Sequence, residues 1–198
     1  MVDNFDVIAP LLDFSDDNYF YFVQILQRKK DNKPGLINGA NNNSRLIKAY
    51  YINSLEKYEF YKTEIIEISK LFNARAGIDL NRKHYEKMCL QHVKKIVDQI
   101  LNSEFRKAHK AYNHVLGSFN HEKNKRWILD IDDINMDTTE MMHFINHECQ
   151  PLGDKYVATI PSKNGYHIIV KPFDLSRFGT SFPGIDIHKN NPTNLFIP

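Results

Sequence analysis

The sequence predicts an α+β protein of 198 residues, with an N-terminal α/β subdomain over 1–120 packed on a C-terminal sheet over 121–198. Two observations predict this class. In the first part, runs rich in aromatic and β-branched residues alternate with segments of helical periodicity. After residue 126 the predicted order is strand, helix, strand, strand, link, strand and strand, which favours a second sheet with its own helix.

The first part begins with two predicted strands, 18–27 and 45–54, joined by a polar turn over 28–35. Ser54 is the expected N-cap of the helix that follows, because its hydroxyl can accept a hydrogen bond from the first helical turn. A short strand is predicted over 75–81.

A long amphipathic helix is predicted over 82–102, and 105–119 is expected to continue as helix. Apolar residues recur at helical spacing on one side, and lysines occupy the other. The side chains expected to face inward are those of Met88, Val93, Ile96, Val97, Ile100 and Leu101. Those expected to face solvent are Lys83, Lys87, Lys94 and Lys95.

The second part is predicted to hold five strands and one helix. The strands are 126–132, 156–160, 166–171, 184–188 and 194–197. Asp137 is the expected cap of the helix, with Glu140 three residues on, and Pro151 ends it. This order is close to the split β-α-β plan of nucleic-acid-recognition sheets, so an RRM-like subdomain is predicted.

Composition excludes several classes of protein. No run approaches the ~20 apolar residues of a membrane span, so no membrane partner is expected. The first residues carry acids where a signal peptide carries lysines, and two cysteines are too few for a disulfide framework. A cytoplasmic location is therefore expected.

Charge is distributed unevenly along the chain. Residues 70–126 hold 13 Lys and Arg against 5 Asp and Glu, a net charge of +8, whereas residues 127–198 have a net charge of −4. A basic segment beside an acidic one suits a protein that grips a polyanion while holding metal ions. The alternative is a solvated helical surface without a partner.

Asp130 and Asp132 lie on the hydrophobic strand 126–132. Side chains alternate along a strand, so both carboxylates point to the same face. Adjacent carboxylates repel unless a cation neutralises them, and Mg²⁺ prefers such oxygen ligands. Asp186 lies between two isoleucines and would complete a cluster able to hold two metals ~3.5–4 Å apart. The alternatives are an acidic turn and an edge-strand acid.

A Ser-Lys-Asn-Gly turn separates these acids along the chain. Ser162 and Lys163 offer a hydroxyl, an ammonium and exposed backbone amides, which suit phosphate oxygens. His167 opens the strand that follows. The alternative for His167 is a hydrogen-bonded core histidine, because it shares a strand face with Ile169.

In this order, the three motifs WILDID, SKNGYH and GIDI resemble those of the archaeo-eukaryotic primase superfamily, which includes the primase-polymerases. The resemblance covers 126–188, and the N-terminal half fits only in its order of strands and helices. It implies that Asp130, Asp132 and Asp186 coordinate two Mg²⁺ or Mn²⁺ ions. It also implies that His167, Ser162 and Lys163 contact the triphosphate of the incoming nucleotide.

The resemblance further implies a template-directed nucleotidyltransferase that acts in DNA replication or repair on NTPs or dNTPs. Its partners would be a single-stranded DNA template or a primer–template, and a helicase or other replisome proteins, in a phage or mobile element. Some relatives bind zinc, but the cysteines for such a site are missing, so no zinc is expected. The residues predicted to contact nucleic acid are Arg75, Arg82, Lys83, Lys87, Lys94 and Lys95.

Two other functions stay open. A metal-dependent nuclease also uses clustered carboxylates, although it does not need the phosphate-binding turn. A non-catalytic nucleic-acid-binding module with an RRM-like sheet would carry exposed aromatic residues where Asp130 and Asp132 stand, because such sheets stack bases on aromatic rings.

Overall fold

The computed structural model describes residues 1–28 and 44–198, which form an α+β fold with two antiparallel sheets. The predicted α+β class is thus confirmed. The first-sheet strands are β1 (Val2–Asp3), β2 (Tyr19–Gln27), β3 (Arg45–Ile52), β4 (Arg75–Ile78), β5 (Lys83–His84) and β10 (Thr193–Ile197). The second-sheet strands are β6 (Trp127–Ile131), β7 (Tyr156–Pro161), β8 (Tyr166–Val170) and β9 (Asp186–His188).

Six α-helices lie within the described residues. They are α1 (Phe5–Ile8), α2 (Leu55–Phe72), α3 (Tyr85–Leu101), α4 (Ala111–Ser118), α5 (Thr139–His147) and α6 (Phe178–Ser181). None is long and apolar enough to cross a bilayer. The turn predicted over 28–35 lies, beyond Arg28, outside the described residues.

The first sheet has the order β1-β10-β4-β2-β3, and β5 pairs with the start of β2. The last strand of the chain, β10, therefore lies between β1 and β4, where Asn194 pairs with Gly77. Its predicted placement in the C-terminal sheet is wrong. Strand pairing is decided by long-range contacts, which the local pattern of residues 194–197 does not contain.

The second sheet has the order β7-β8-β6-β9, with every neighbouring pair antiparallel. One face packs on α5 and α6, where Leu129 and Ile168 meet Met141 and Phe178. The opposite face turns toward the first sheet. There the isoleucines of three strands join the core of the first sheet, namely Ile128, Ile160 and Ile169.

Helix α2 begins as predicted. The Ser54 hydroxyl accepts a hydrogen bond from the Lys57 backbone N–H at 3.2 Å. The helix ends at Asn73, whose φ of 46° is the left-handed conformation that closes many helices. Between these caps, Tyr58 and Ile65 of the helix are fully buried in the core of the first sheet.

The helix predicted over 82–102 is present as α3, but the predicted positions of its side chains are wrong in two respects. Lys83 lies in β5 and is buried, whereas it was expected to face solvent from the helix. Of the residues expected to face inward, Met88 is buried and Ile96 is partly buried. The others are exposed, namely Val93, Val97, Ile100 and Leu101. Helical periodicity identifies an apolar side, but tertiary packing decides which side is covered.

Candidate functional site

The three sequence motifs meet on one face of the second sheet. Asp130 on β6 pairs directly with His167 on β8 and with Asp186 on β9. Residues directly opposite each other in antiparallel strands project to the same side, with Cβ atoms about 5 Å apart. Asp132 follows Asp130 by two residues and continues the same face past the end of β6.

Two imidazoles lie beside the Asp130 carboxylate. Its Oδ1 lies 3.4 Å from Nε2 of His167, and its Oδ2 lies 3.8 Å from Nε2 of His188. The hydrogen bond with His167 lowers the pKa of Asp130, while partial burial opposes that shift. The carboxylate is therefore ionised at neutral pH and aimed into the space between the sheets.

His167 is buried but fully hydrogen-bonded. Its Nδ1 lies 2.8 Å from the Thr193 hydroxyl, and its Nε2 lies 3.3 Å from the Asn194 amide nitrogen. When Thr193 donates to Nδ1, the proton sits on Nε2 and faces Asp130, and the Asn194 amide nitrogen is then a neighbour without a hydrogen bond. When Nε2 instead accepts from Asn194, the proton sits on Nδ1 and is donated to the Thr193 hydroxyl. The ring is thus oriented from both sheets, since Thr193 and Asn194 belong to β10 of the first sheet.

The turn between β7 and β8 closes the end of the site. Ser162 N–H donates to the Gly165 carbonyl at 2.9 Å, and Gly165 N–H donates back to the Ser162 hydroxyl at 3.2 Å. A Cβ on Gly165 would stand 1.9 Å from the Ile131 carbonyl oxygen, so only glycine lets the turn lie against β6. This contact brings Ser162 and Lys163 beside the acids.

A cleft of about 570 Å³ opens between the two sheets at this place. The second sheet contributes Asp130, Asp132, Ser162, Lys163, His167 and His188. The first sheet and its flanks contribute Gln24, Arg28, Arg75, Thr193 and Asn194. Acids and histidines on one wall thus face two arginines on the other, which suits a ligand that carries both phosphates and bound cations.

Asp186 shares the face but stands at its edge. Its side chain is exposed and lies outside the lining of the cleft, although its backbone pairs with Asp130. Across the part of the chain that is described, no three His, Cys, Asp or Glu side chains are grouped closely enough to hold a metal ion as they stand. The donor types nonetheless fit a hard divalent cation, since three carboxylates share one side of the sheet.

The predicted nucleic-acid contacts divide into separate groups. Arg75 lines the cleft together with Asp130 and Asp132, and its predicted contact with nucleic acid stays a prediction. Arg82 lies elsewhere: its guanidinium pairs with Glu122 at 2.6 Å and with Asp13 at 2.8 Å, and it covers the Tyr19 ring. Its side chain is only 13% exposed, so it holds the fold together and has little charge to offer a ligand.

The predicted lysines behave differently from one another. Lys83 is 1% exposed, and its ammonium binds the Asp79 carboxylate and the Phe119 carbonyl, each at 2.9 Å. That geometry makes its predicted contact with nucleic acid wrong. Lys87 and Lys94 are exposed on α3, and Lys95 is partly exposed. Their role stays a prediction.

Several residues of the cleft were not anticipated from the sequence. His188 follows Asp186 by two residues, so the alternation of β9 was a sufficient signal for its shared face. Thr193 and Asn194 carried no such signal, because they reach the site from the first sheet. Arg28 and Gln24 are brought there by β2 in the same way.

Comparison with family models, curated proteins and solved structures finds no match to this chain. The chemistry of the cleft is therefore inferred from its own residues.

Proposed function

We propose that this protein is a template-directed nucleotidyltransferase of the primase-polymerase type. It would add nucleotides from NTPs or dNTPs to a nucleic-acid strand in DNA replication or repair. One observation carries the proposal: Asp130 pairs with both His167 and Asp186, so three motifs that are separate in the sequence meet on one face of the second sheet. Asp130 and His167 line the cleft on that face, and Asp186 lies outside its lining.

The residues of the cleft suit phosphoryl transfer, which needs positioning and charge neutralisation more than a protein nucleophile. Asp130, Asp132 and Asp186 would hold Mg²⁺ or Mn²⁺, with the exposed side chains of the latter two turning toward Asp130. Such ions supply activation of the attacking hydroxyl and stabilisation of the departing pyrophosphate. No zinc is required by this arrangement of oxygen donors.

The phosphates of the nucleotide would lie against the basic and N–H groups of the cleft. Lys163 provides an ammonium and Ser162 a hydroxyl beside the acids. Arg75 provides a guanidinium from the opposite wall. His167 would donate a hydrogen bond to a phosphate oxygen from a fixed ring position, because Thr193 and Asn194 contact its two ring nitrogens. These groups would orient the triphosphate in line with the attacking hydroxyl.

The second sheet supports an RRM-like subdomain within this enzyme. Its order β7-β8-β6-β9, with α5 and α6 on one face, follows the split β-α-β plan. A non-catalytic module of this kind would need its other face open for base stacking. Here Ile128, Ile160 and Ile169 bury that face against the first sheet, which disfavours the non-catalytic alternative.

A metal-dependent nuclease stays the second candidate, because it would use the same three carboxylates. The turn with Ser162 and Lys163 favours the polymerase, since a nuclease needs no site for a triphosphate. Template or primer–template DNA would be the macromolecular substrate, and a helicase or other replisome protein would supply it. These partners, and action in the cytoplasm, belong to the proposal.

The test is incubation of the protein with labelled NTPs or dNTPs, Mg²⁺ or Mn²⁺ and single-stranded template, with and without a primer. We expect labelled product, and we expect Asp130→Ala with Asp132→Ala to abolish it. The matched control is Asp133→Ala, which removes one acid from the same segment but does not line the cleft. Degradation of the DNA without incorporation would instead identify a nuclease.

A further inference from the structure

A second groove, also of about 570 Å³, lies away from the acids. Its charged lining consists of Lys123, Lys125, Arg126 and Lys171, and no carboxylate belongs to its lining in the described part of the chain. The segment before β6 provides the first three cations, and Lys171 follows the end of β8. Four cations thus converge from two separate parts of the sequence.

Within residues 1–28 and 44–198, none of these four cations forms an ion pair with a carboxylate. The Arg126 Nη1 donates to the Leu11 carbonyl at 2.6 Å, and the Lys171 Nζ donates to the Asp154 carbonyl at 3.2 Å. Carbonyl partners fix the position of a cation but leave its charge available. Glu122, the acid nearest in sequence to Lys123, is bound to Arg82. The positive potential of this groove is therefore directed to solvent.

The edge strand β7 connects this groove with the cleft. Val157 near its start lines the groove, and Ser162 just past its end lines the cleft. Five residues of extended chain span about 17 Å. A stacked nucleic-acid strand rises about 3.4 Å per nucleotide, so about five nucleotides would bridge the two sites.

We propose that the groove of Lys123, Lys125, Arg126 and Lys171 binds the phosphodiester backbone of a single-stranded nucleic acid that extends along β7 from the cleft. The link to the cleft rests on the proposed function. The affinity of the groove for the backbone does not, because it follows from cations that have no carboxylate partner in the described part of the chain. The sequence predicts most of the nucleic-acid contacts at the lysines of the helix over 82–102. The proposed groove instead places a template site at Lys123, Lys125, Arg126 and Lys171.

The experiment measures binding of a labelled single-stranded oligonucleotide by fluorescence anisotropy, without nucleotide and without turnover. Lys123→Ala with Lys125→Ala and Lys171→Ala should weaken binding roughly tenfold or more and lower the salt slope by about 2. Arg126 is left in place because it also holds Leu11. A charge-matched control changes three exposed lysines outside the groove to Ala, namely Lys57, Lys70 and Lys110, and should bind like the unchanged protein.

Three further arms separate the outcomes. Replacing Lys87, Lys94 and Lys95 by Ala tests α3, and a loss there with none from the groove variant would overturn the inference. Equal losses from groove and control variants would also overturn it, since they would indicate a diffuse charge effect. If millimolar inorganic phosphate displaced the oligonucleotide, the groove would be a site for free phosphate instead. Lys123→Gln with Lys125→Gln repeats the test with milder changes.

The result is independent of whether the protein polymerises. Asp130→Ala with Asp132→Ala should lose incorporation but keep oligonucleotide binding, whereas the groove variant should lose binding. A protein that binds through the groove but incorporates no nucleotide would refute the proposed function alone.

Discussion

Asp130 and Asp186 stand directly opposite each other on the adjacent antiparallel strands β6 and β9. Like charges in this position destabilise a sheet, by about 0.2–1 kcal/mol. His167 and His188 lie within 4.0 Å of the Asp130 carboxylate, whereas Asp186 is exposed to solvent. An arrangement that costs free energy in the absence of a cation is typical of a site built to bind one.

The first prediction concerns Asp186→Asn. Without divalent cations we expect an unchanged or slightly higher free energy of unfolding, by up to about 1 kcal/mol, because the repulsion with Asp130 is removed. With Mn²⁺ or Mg²⁺, the unchanged protein should gain thermal stability by mass action, and the variant should gain less. Nucleotide incorporation should fall about a hundredfold or more. A variant as active as the unchanged protein would remove Asp186 from the site.

The second prediction concerns the fit of the turn against β6. Gly165→Ala places a methyl group 1.9 Å from the Ile131 carbonyl, so the turn must shift. We expect a loss of ~3 kcal/mol in the free energy of unfolding, measured by urea titration, together with loss of incorporation. Gly117→Ala is the control, because no heavy atom lies within 4 Å of the added Cβ. It lies within α4, where alanine should be neutral or stabilising.

The third prediction concerns the buried ion pair of Asp79 and Lys83. Lys83→Met leaves the Asp79 carboxylate buried without its cation, so we expect a loss of about 3–5 kcal/mol. Asp79→Leu with Lys83→Met should be much less destabilising than Lys83→Met alone, because no charge then remains unpaired. Unfolding of the unchanged protein, Asp79→Leu, Lys83→Met and the double variant completes a double-mutant cycle. A double variant no more stable than the single one would contradict this account.

The fourth prediction concerns Arg82 and Glu122. Burial opposes ionisation of Glu122, but the hydrogen bonds from Arg82 prevail and lower the pKa of Glu122. A carboxylate with a lowered pKa in the folded state stabilises the protein above its unfolded pKa, and that contribution is lost as the pH falls through the folded pKa.

We therefore expect the unchanged protein to exceed Glu122→Gln in stability at neutral pH, and the difference to shrink below about pH 5. Denaturant titrations of both proteins over this range provide the measurement. If the difference in unfolding free energy between the two proteins did not depend on pH, the role of Glu122 would be packing and not its charge. Arg82→Ala should likewise destabilise the fold without weakening oligonucleotide binding.

The sequence determined much of the local structure by itself. The helix cap at Ser54 and the strands around WILDID, YVATI and YHIIVK follow from capping preferences, apolar alternation and the glycine turn between the last two. The shared face of Asp130 and Asp132 also follows from alternation alone, because the side-chain period of a strand is two residues.

Only the tertiary structure decided which partners these elements take. It placed β10 in the first sheet, so that Thr193 and Asn194 orient His167, and it buried Lys83 against Asp79. It buried Met88 of α3 but left most of the apolar side of that helix exposed. The reason is physical: local periodicity fixes the conformation and the faces of an element, whereas pairing and burial depend on contacts between residues far apart in the sequence.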